Sequence, residues 1–185
     1  MKLKKFNFKI VNSTNDLAIQ IIKNTNNKSG IVFADKQKNG RGRYGKKWNS
    51  FKGNLFVSIF FETDTIRLSL KDLTKVNCFL VKKILSHFYK RKITFKSPND
   101  LLINNMKISG ILQETLSKSG KKFIVVGIGI NLIKSPIIKN YPTTNLLDLT
   151  GIKITPNNVA LKLKNIYEKF IPVFPKFNIK NVSKI

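Results

Sequence analysis

Apolar side chains recur along this chain with two different periods, and these separate the predicted helices from the predicted strands. Three segments have apolar positions at helical spacing, three or four residues apart. Ser13 and Thr14 can cap the first of these helices, while Thr155 can cap the last, which has Pro156 at its first position. The predicted helices cover residues 15–23, 69–89 and 156–170.

Short apolar runs between these segments predict strands. They cover residues 30–34, 54–61, 93–95, 101–103, 106–116 and 123–132. Asn104 and Asn105 favour a hairpin turn, whereas Pro98 keeps its neighbours from forming a regular central strand. Because the strands cluster between 54 and 132, with helices outside them, the predicted class is α+β, a mixed sheet backed by helices.

Two segments lack either period. Residues 35–53 are polar, basic and rich in glycine, which is typical of a long functional loop. Residues 133–155 are looser, without a clear element. We find no repeat and no convincing domain boundary, so residues 1–185 are predicted to form a single domain.

Composition narrows the class of protein. The 185 residues are 42% hydrophobic, enough for a core. The lone Cys78 argues against a disulfide framework and against a cysteine-based zinc site. The basic start lacks the apolar run of a signal peptide, and no stretch is long enough for a membrane helix. We therefore expect a cytoplasmic protein without membrane association.

The net charge of +26 suggests nucleic acid as a partner. However, only four of the 35 Lys and Arg residues are Arg, and the lysines are spread over the whole chain. Nucleic-acid sites favour the bidentate guanidinium of Arg. A surface bias towards lysine is therefore the preferred interpretation, and we expect no specific DNA binding. The charge would still attract an acidic partner.

Residues 40–45, GRGRYG, have the spacing of a dinucleotide fingerprint, but a polar, turn-prone segment follows instead of an apolar helix. Arg41 and Arg43 offer bidentate donors to a phosphate or a carboxylate, and glycine lets the backbone close on a ligand. The segment therefore favours an anion-binding loop.

Glycines at period two in a strand provide a second candidate site. Gly127 and Gly129 lie on one face of the predicted strand, and their missing side chains would leave a slot for a flat ligand, with Asn131 at its mouth. Close sheet packing or a bulge is the alternative. Lys107, in another strand, is closely followed by Gly110.

These segments, in this order, resemble the motifs of biotin protein ligases. The matching motifs are Ser13-Thr14-Asn15, Gln37 with GRGRYG and Trp48, KSPND at 96–100, KISGIL at 107–112, and GIGIN at 127–131. The resemblance implies a catalytic domain of the biotin/lipoate protein ligase type, similar to class II aminoacyl-tRNA synthetases. It also implies ATP-dependent formation of biotinyl-5′-AMP, followed by transfer of biotin to one lysine of the biotin carboxyl carrier protein of acetyl-CoA carboxylase.

The resemblance assigns roles to individual residues. Implied biotin-binding residues are Ser13, Thr14, Asn15, Gln37, Gly40, Arg41, Arg43, Lys107, Gly110, Gly127 and Gly129. Implied ATP- or adenylate-binding residues are Arg41, Arg43, Trp48, Asn99, Lys107 and Asn131. Implied catalytic residues are Lys107, Arg43 and Asp100; Lys107 would offset the repulsion between the biotin carboxylate and the α-phosphate, and Asp100 would orient or deprotonate the incoming lysine. Mg²⁺ would shield the phosphates, with no residue assigned as its ligand.

Some interpretations stay open at this stage. Trp48 can pack against adenine, close the loop or anchor the core, and the Pro-Asn-Asp segment can serve only as a turn. Ser97 stands where the family usually has Trp, which predicts weaker biotin binding. We expect no N-terminal helix-turn-helix, an absent or vestigial C-terminal β domain, and a monomer or homodimer. The rival functions are a lipoate–protein ligase and a non-catalytic, basic RNA- or DNA-binding domain.

Overall fold

A single seven-stranded mixed sheet organises the molecule, which we describe from a computed structural model covering residues 1–64, 66–177 and 179. The strands are β1 (Lys4–Val11), β2 (Ser29–Gln37), β3 (Leu55–Glu62), β4 (Thr94–Lys96), β5 (Asp100–Ile103), β6 (Met106–Lys118) and β7 (Lys121–Ile130). Their order across the sheet is β1-β2-β3-β7-β6-β5-β4. Only β1 and β2 pair in parallel; the other neighbours are antiparallel. The predicted α+β class is confirmed.

Among the described residues, four α-helices flank this sheet: α1 (Thr14–Asn24), α2 (Leu70–Leu85), α3 (Leu146–Thr150) and α4 (Pro156–Phe170). Helix α1 packs on one face through Ala18 and Ile22, against Val32, Phe60 and Val125. The larger core lies on the other face, where α2 and α4 cover the strands. None of the helices in the described part of the chain is long and apolar enough to cross a membrane.

The predicted caps of α1 and α4 are confirmed. Ser13 Oγ accepts a hydrogen bond from Asp16 N, and Thr155 Oγ1 accepts one from Asn158 N, so each side chain satisfies a backbone N–H that the helix leaves free. The predicted hairpin is also present between β5 and β6. Asn104 and Asn105 both have a positive φ there, which asparagine tolerates better than most residues.

Several predicted boundaries were wrong. Strand β1 was missed because it lies at the edge of the sheet and is largely exposed, which weakens its apolar pattern. Strand β2 extends to Gln37, into the predicted loop. Helix α2 ends at Leu85 rather than at 89, and the chain turns so that Tyr89 joins the core. The short helix α3 lies in the segment that had shown no element.

Candidate active site

A cavity of about 490 Å³ opens on the face of the sheet that carries α1, beside the start of that helix. Every predicted site residue except Gly40 lines it. Gly40 is buried at the base of the basic loop, where its carbonyl accepts a hydrogen bond of 2.8 Å from Trp48 N. The fold therefore brings together motifs that are separated by more than a hundred positions.

Glycines on two neighbouring strands form the floor of this cavity. Gly110 of β6 pairs with Gly129 of β7. Gly127 lies two positions before Gly129 in β7 and therefore on the same face of the sheet. The Trp48 ring rests on the first pair: a methyl group at Gly110 would lie 2.8 Å from it, and one at Gly129 would overlap it. A methyl group at Gly127 would overlap the Asn15 amide. The missing side chains leave room for the Trp48 ring and the Asn15 amide, which fill the space above the glycines in this structure, and ligand binding there stays a prediction.

A buried polar network fixes the start of α1 at one end of the cavity. Gln37 Oε1 accepts hydrogen bonds from Thr14 N (2.8 Å) and Thr14 Oγ1 (3.0 Å). Ser58 Oγ lies 2.8 Å from Thr14 Oγ1 and 2.5 Å from Asn15 Oδ1. Ser58 was not among the predicted site residues, although it is the one polar residue in the apolar run 55–61 of β3 and so was a usable signal. The side chains of Thr14, Gln37 and Ser58 are buried, and each has a hydrogen-bond partner in this network, as buried polar groups usually do.

Lys107 and Asp100 form the central ion pair of the site. Lys107 Nζ lies 2.8 Å from Asp100 Oδ1, and both side chains are largely buried, with 19% and 14% of their surface exposed. Tyr141 Oη donates a hydrogen bond of 2.6 Å to the other carboxylate oxygen, Oδ2. Lys107 Nζ also lies 5.4 Å from the Trp48 ring centre and 5.5 Å from that of Tyr141, within range of a cation–π attraction.

Arg41 connects the basic loop to two other elements. Its Nη2 lies 2.6 Å from Asp16 Oδ1 on α1 and 2.8 Å from Glu114 Oε2 on β6. Asn15 Nδ2 donates to the same Glu114 oxygen at 2.7 Å. Burial acts to lower the pKa of Arg41, but hydrogen bonds and attraction from Glu114 and Asp16 outweigh it and raise that pKa. The guanidinium therefore remains charged and holds the loop over the cavity.

Arg43 lies on the same loop, in a single 3-10 turn, Arg43–Gly45. Its guanidinium stacks 4.8 Å from the Tyr44 ring centre and donates to Tyr44 Oη at 2.8 Å. Tyr44 is 86% exposed. Arg43 and Tyr44 both line the cavity, where the planar guanidinium can meet a phosphate.

Asn99 and Asn131 hold neighbouring backbone segments. Asn99 Nδ2 donates to Ile111 O at 2.6 Å and fixes the turn between β4 and β5, where the Ser97–Pro98 peptide bond is cis. Asn131 Nδ2 donates to Thr144 O at 3.1 Å. Both residues line the cavity, so a structural role and ligand contact are compatible for each.

The cavity has the electrostatic character of an anion site. Six basic side chains among the described residues line it: Arg41, Arg43, Lys46, Lys47, Lys107 and Lys139. Asp100 is the one carboxylate among the described lining residues. No group of three or more His, Cys, Asp and Glu side chains in the described ranges could hold a metal ion. The basic residues that line the cavity suit a ligand that carries phosphate or carboxylate groups.

Known proteins resemble this chain in sequence. The model of the biotin/lipoate A/B protein ligase family matches residues 7–131. The bifunctional ligase/repressor BirA of Escherichia coli strain K12 is 31% identical over 159 residues, which cover 83% of this chain and 49% of BirA. The biotin–[acetyl-CoA-carboxylase] ligase of Paracoccus denitrificans is 32% identical over 111 residues, covering 58% of this chain and 46% of that protein.

A solved structure has the same fold. The biotin protein ligase of Aquifex aeolicus, in complex with biotin and ATP, superposes with a TM-score of 0.81 and 28% identity, over 96% of this chain and 74% of that chain. The chain spans about half the length of the curated relatives it matches.

Proposed function

Since the chain belongs to the biotin/lipoate A/B protein ligase family, we propose that it activates biotin with ATP and transfers biotin to a lysine of an acceptor protein. The observation that carries this proposal is the Lys107–Asp100 pair, held at 2.8 Å beside a glycine floor in a cavity dominated by basic side chains. Because all seven strands of the described residues belong to one sheet, we propose that a single catalytic domain carries out both steps.

The first step joins two anions. A carboxylate oxygen of biotin attacks the α-phosphorus of ATP, the bond to the β-phosphate breaks, and pyrophosphate leaves. We expect the ammonium of Lys107 to meet both the carboxylate and the α-phosphate, and the guanidinium of Arg43 to meet the phosphate chain, since both side chains line the cavity. Fixed cations in a site of low dielectric lower the barrier to such a step. Mg²⁺ would enter bound to the phosphates of ATP, and we assign it no protein ligand.

The second step forms an amide. The neutral amine of the acceptor lysine attacks the acyl carbon of biotinyl-5′-AMP, and AMP leaves with the electron pair of the broken C–O bond. The surplus proton of the amine passes to a base, and Asp100 is the carboxylate that lines the cavity in the described residues.

The acceptor that we propose is the biotin carboxyl carrier protein of acetyl-CoA carboxylase. The name of the Paracoccus relative, which gives acetyl-CoA carboxylase as the protein it modifies, supports this choice. The net charge of +26 also favours an acidic acceptor domain, because opposite charge speeds encounter. The cytoplasmic location and the choice between monomer and homodimer stay predictions.

The test is incubation with ATP, Mg²⁺, biotin and a carrier domain, followed by intact-mass measurement of the carrier. We expect one biotinyl addition, lost when the acceptor lysine is replaced. A parallel reaction with lipoate separates the two branches of the family: lipoyl addition without biotinyl addition would overturn the biotin assignment. Tight RNA or DNA binding at physiological salt, without adenylate formation from either acid, would overturn the enzymatic proposal.

A further inference from the structure

The segment between β7 and α3 crosses the site and is fixed to the backbone of Lys107. Lys107 N donates to Pro142 O at 2.8 Å, and Thr144 N donates to Lys107 O at 2.9 Å. Asn131 Nδ2 donates to Thr144 O from the end of β7. These bonds set the position of Tyr141, the residue immediately before Pro142, relative to the ion pair.

Tyr141 places its hydroxyl on the carboxylate that Lys107 uses. Its Oη lies 2.6 Å from Asp100 Oδ2, while Lys107 Nζ lies 2.8 Å from Asp100 Oδ1. Burial first, and then the hydrogen bond to Asp100, raise the pKa of Tyr141 well above its ordinary value. The hydroxyl therefore stays protonated and remains a donor.

The Tyr141 ring also collects cations on its faces. Lys96 is the last residue of β4, and its Nζ lies 4.4 Å from the centre of the Tyr141 ring. Lys107 Nζ lies 5.5 Å from the same ring centre. Both distances are within the range of cation–π attraction. The ring is thus held by the two basic side chains as well as by its own backbone segment.

We propose that Tyr141 is a positioning residue for the transfer step, acting through Asp100; this inference rests on the proposed function. A carboxylate can rotate about its Cβ–Cγ bond, and a donor fixed on Oδ2 keeps Oδ1, a buried atom, next to Lys107 Nζ. Oδ1 is the oxygen now paired with an amine, that of Lys107. In transfer, the acceptor amine nitrogen bonds the acyl carbon, AMP leaves with the C–O electron pair, and the surplus proton goes to Oδ1.

The experiment compares two nucleophiles on synthetic biotinyl-5′-AMP bound to the enzyme. The acceptor lysine is an ammonium at neutral pH and must lose one proton before attack and a second as the amide forms, whereas hydroxylamine is already neutral and loses only the second. Transfer to lysine therefore depends more strongly on an oriented base. For Tyr141→Phe we expect single-turnover transfer to the carrier domain to fall on the order of tenfold, the effect of losing one hydrogen bond to a charged group. We expect a clearly smaller loss in the hydroxylamine reaction and an unchanged KM for biotin in pyrophosphate exchange.

Tyr167→Phe is the matched control. Tyr167 Oη donates a hydrogen bond of 2.9 Å to Asn77 Oδ1 in the main core, away from the cavity. Its loss should lower the Tm without changing transfer. A double-mutant cycle with Asp100→Asn adds a second measurement: Tyr141→Phe should have no further effect on transfer once the carboxylate is gone.

Three outcomes would overturn the inference about Tyr141. They are unchanged transfer in Tyr141→Phe, an equal loss with both nucleophiles, and effects of Tyr141→Phe and Asp100→Asn that simply add. Failure of the proposed function has a different signature: the wild-type chain would give no biotin-dependent exchange of pyrophosphate into ATP. Transfer from the synthetic adenylate would still report on Tyr141 in that case, and a wild-type chain that also fails to transfer would overturn both.

Discussion

Lys107 and Gly110 lie on the same face of β6, although three positions separate them. A methyl group at Gly110 would lie 3.1 Å from Lys107 Cε and 3.2 Å from its Nζ. In a regular strand, residues three apart point to opposite faces. The pairing with β5 passes from Leu101–Ser109 to Leu102–Lys107 and skips Ile108, so a β-bulge turns Lys107 towards the cavity.

This position of Lys107 predicts the result of removing its ammonium. Lys107→Ala should reduce biotin-dependent ATP–pyrophosphate exchange by roughly 100-fold or more, because the fixed cation that offsets anion repulsion is lost. Circular dichroism should show the wild-type fold. Lys121→Ala is the control, since its ammonium lies 3.9 Å from Asp64 in an exposed pair, and such pairs contribute little. Normal exchange in Lys107→Ala would remove Lys107 from the mechanism.

Arg41 is expected to control both the order of the basic loop and biotin affinity. Arg41→Ala removes the two ion pairs that connect the loop to α1 and β6. Trypsin should then cleave the loop faster at Arg43, Lys46 or Lys47, and the Kd for biotin should rise by about tenfold, as for loss of a charge-assisted contact. The exposed Arg67→Ala is the matched control. An unchanged cleavage rate would show that Arg41 does not restrain the loop.

The fluorescence of Trp48 reports on the packing of its ring against the glycines, because the chain has one tryptophan. In Gly129→Ala, the new methyl group would lie 2.4 Å from atoms of the Trp48 ring. This is too close for contact, so the ring must move away from the strand. We expect a red-shifted emission, stronger quenching by acrylamide and weaker biotin binding. Forcing extra volume into a packed contact costs about 1–3 kcal/mol.

The control for this substitution is Gly120→Asn, at a turn with φ +74° and open space around the glycine. Asparagine tolerates the left-handed region better than other residues, so emission and biotin binding should match those of the wild type. An unshifted emission in Gly129→Ala would contradict the packing of the indole on β7.

Cys78 predicts how stability changes at alkaline pH. Burial in the core, with a smaller effect of the Asp100 charge, raises the pKa of the thiol from 9.0 to about 12. Below pH 9 the thiol is protonated in both the folded and unfolded chain. Between pH 9 and 12 only the unfolded chain ionises, so this group lowers the free energy of unfolding as pH rises.

Two measurements check this behaviour. Reaction of the folded protein with a thiol reagent at pH 8 should be limited by opening of the structure, and it should become fast in denaturant. In Cys78→Ser, the fall in Tm between pH 9 and 12 should be smaller than in the wild type. Rapid labelling of the folded chain would contradict the buried position of Cys78.

Much of the fold followed from the sequence, because strong patterns reflect deep burial on one face of an element. Helices α1 and α4, with their caps Ser13 and Thr155, and the hairpin at Asn104–Asn105 depend on local chemistry and were predicted from it. Strand β1 was not predicted, because most residues of this edge strand are exposed to solvent, so it lacks the deep burial that gives a strong pattern.

For the candidate site, too, some features could be predicted from the sequence and others depend on the tertiary structure. The sequence by itself determined the kinds of group available, since the glycines at 127 and 129 and the cations at 41, 43 and 107 stand in recognisable motifs. Their arrangement was decided by the tertiary structure: the bulge at Ile108 turns Lys107 to the glycine face, and Tyr141 reaches Asp100 across 41 positions of chain. No local period encodes such contacts, because they arise only when the sheet and the crossing segment have packed together.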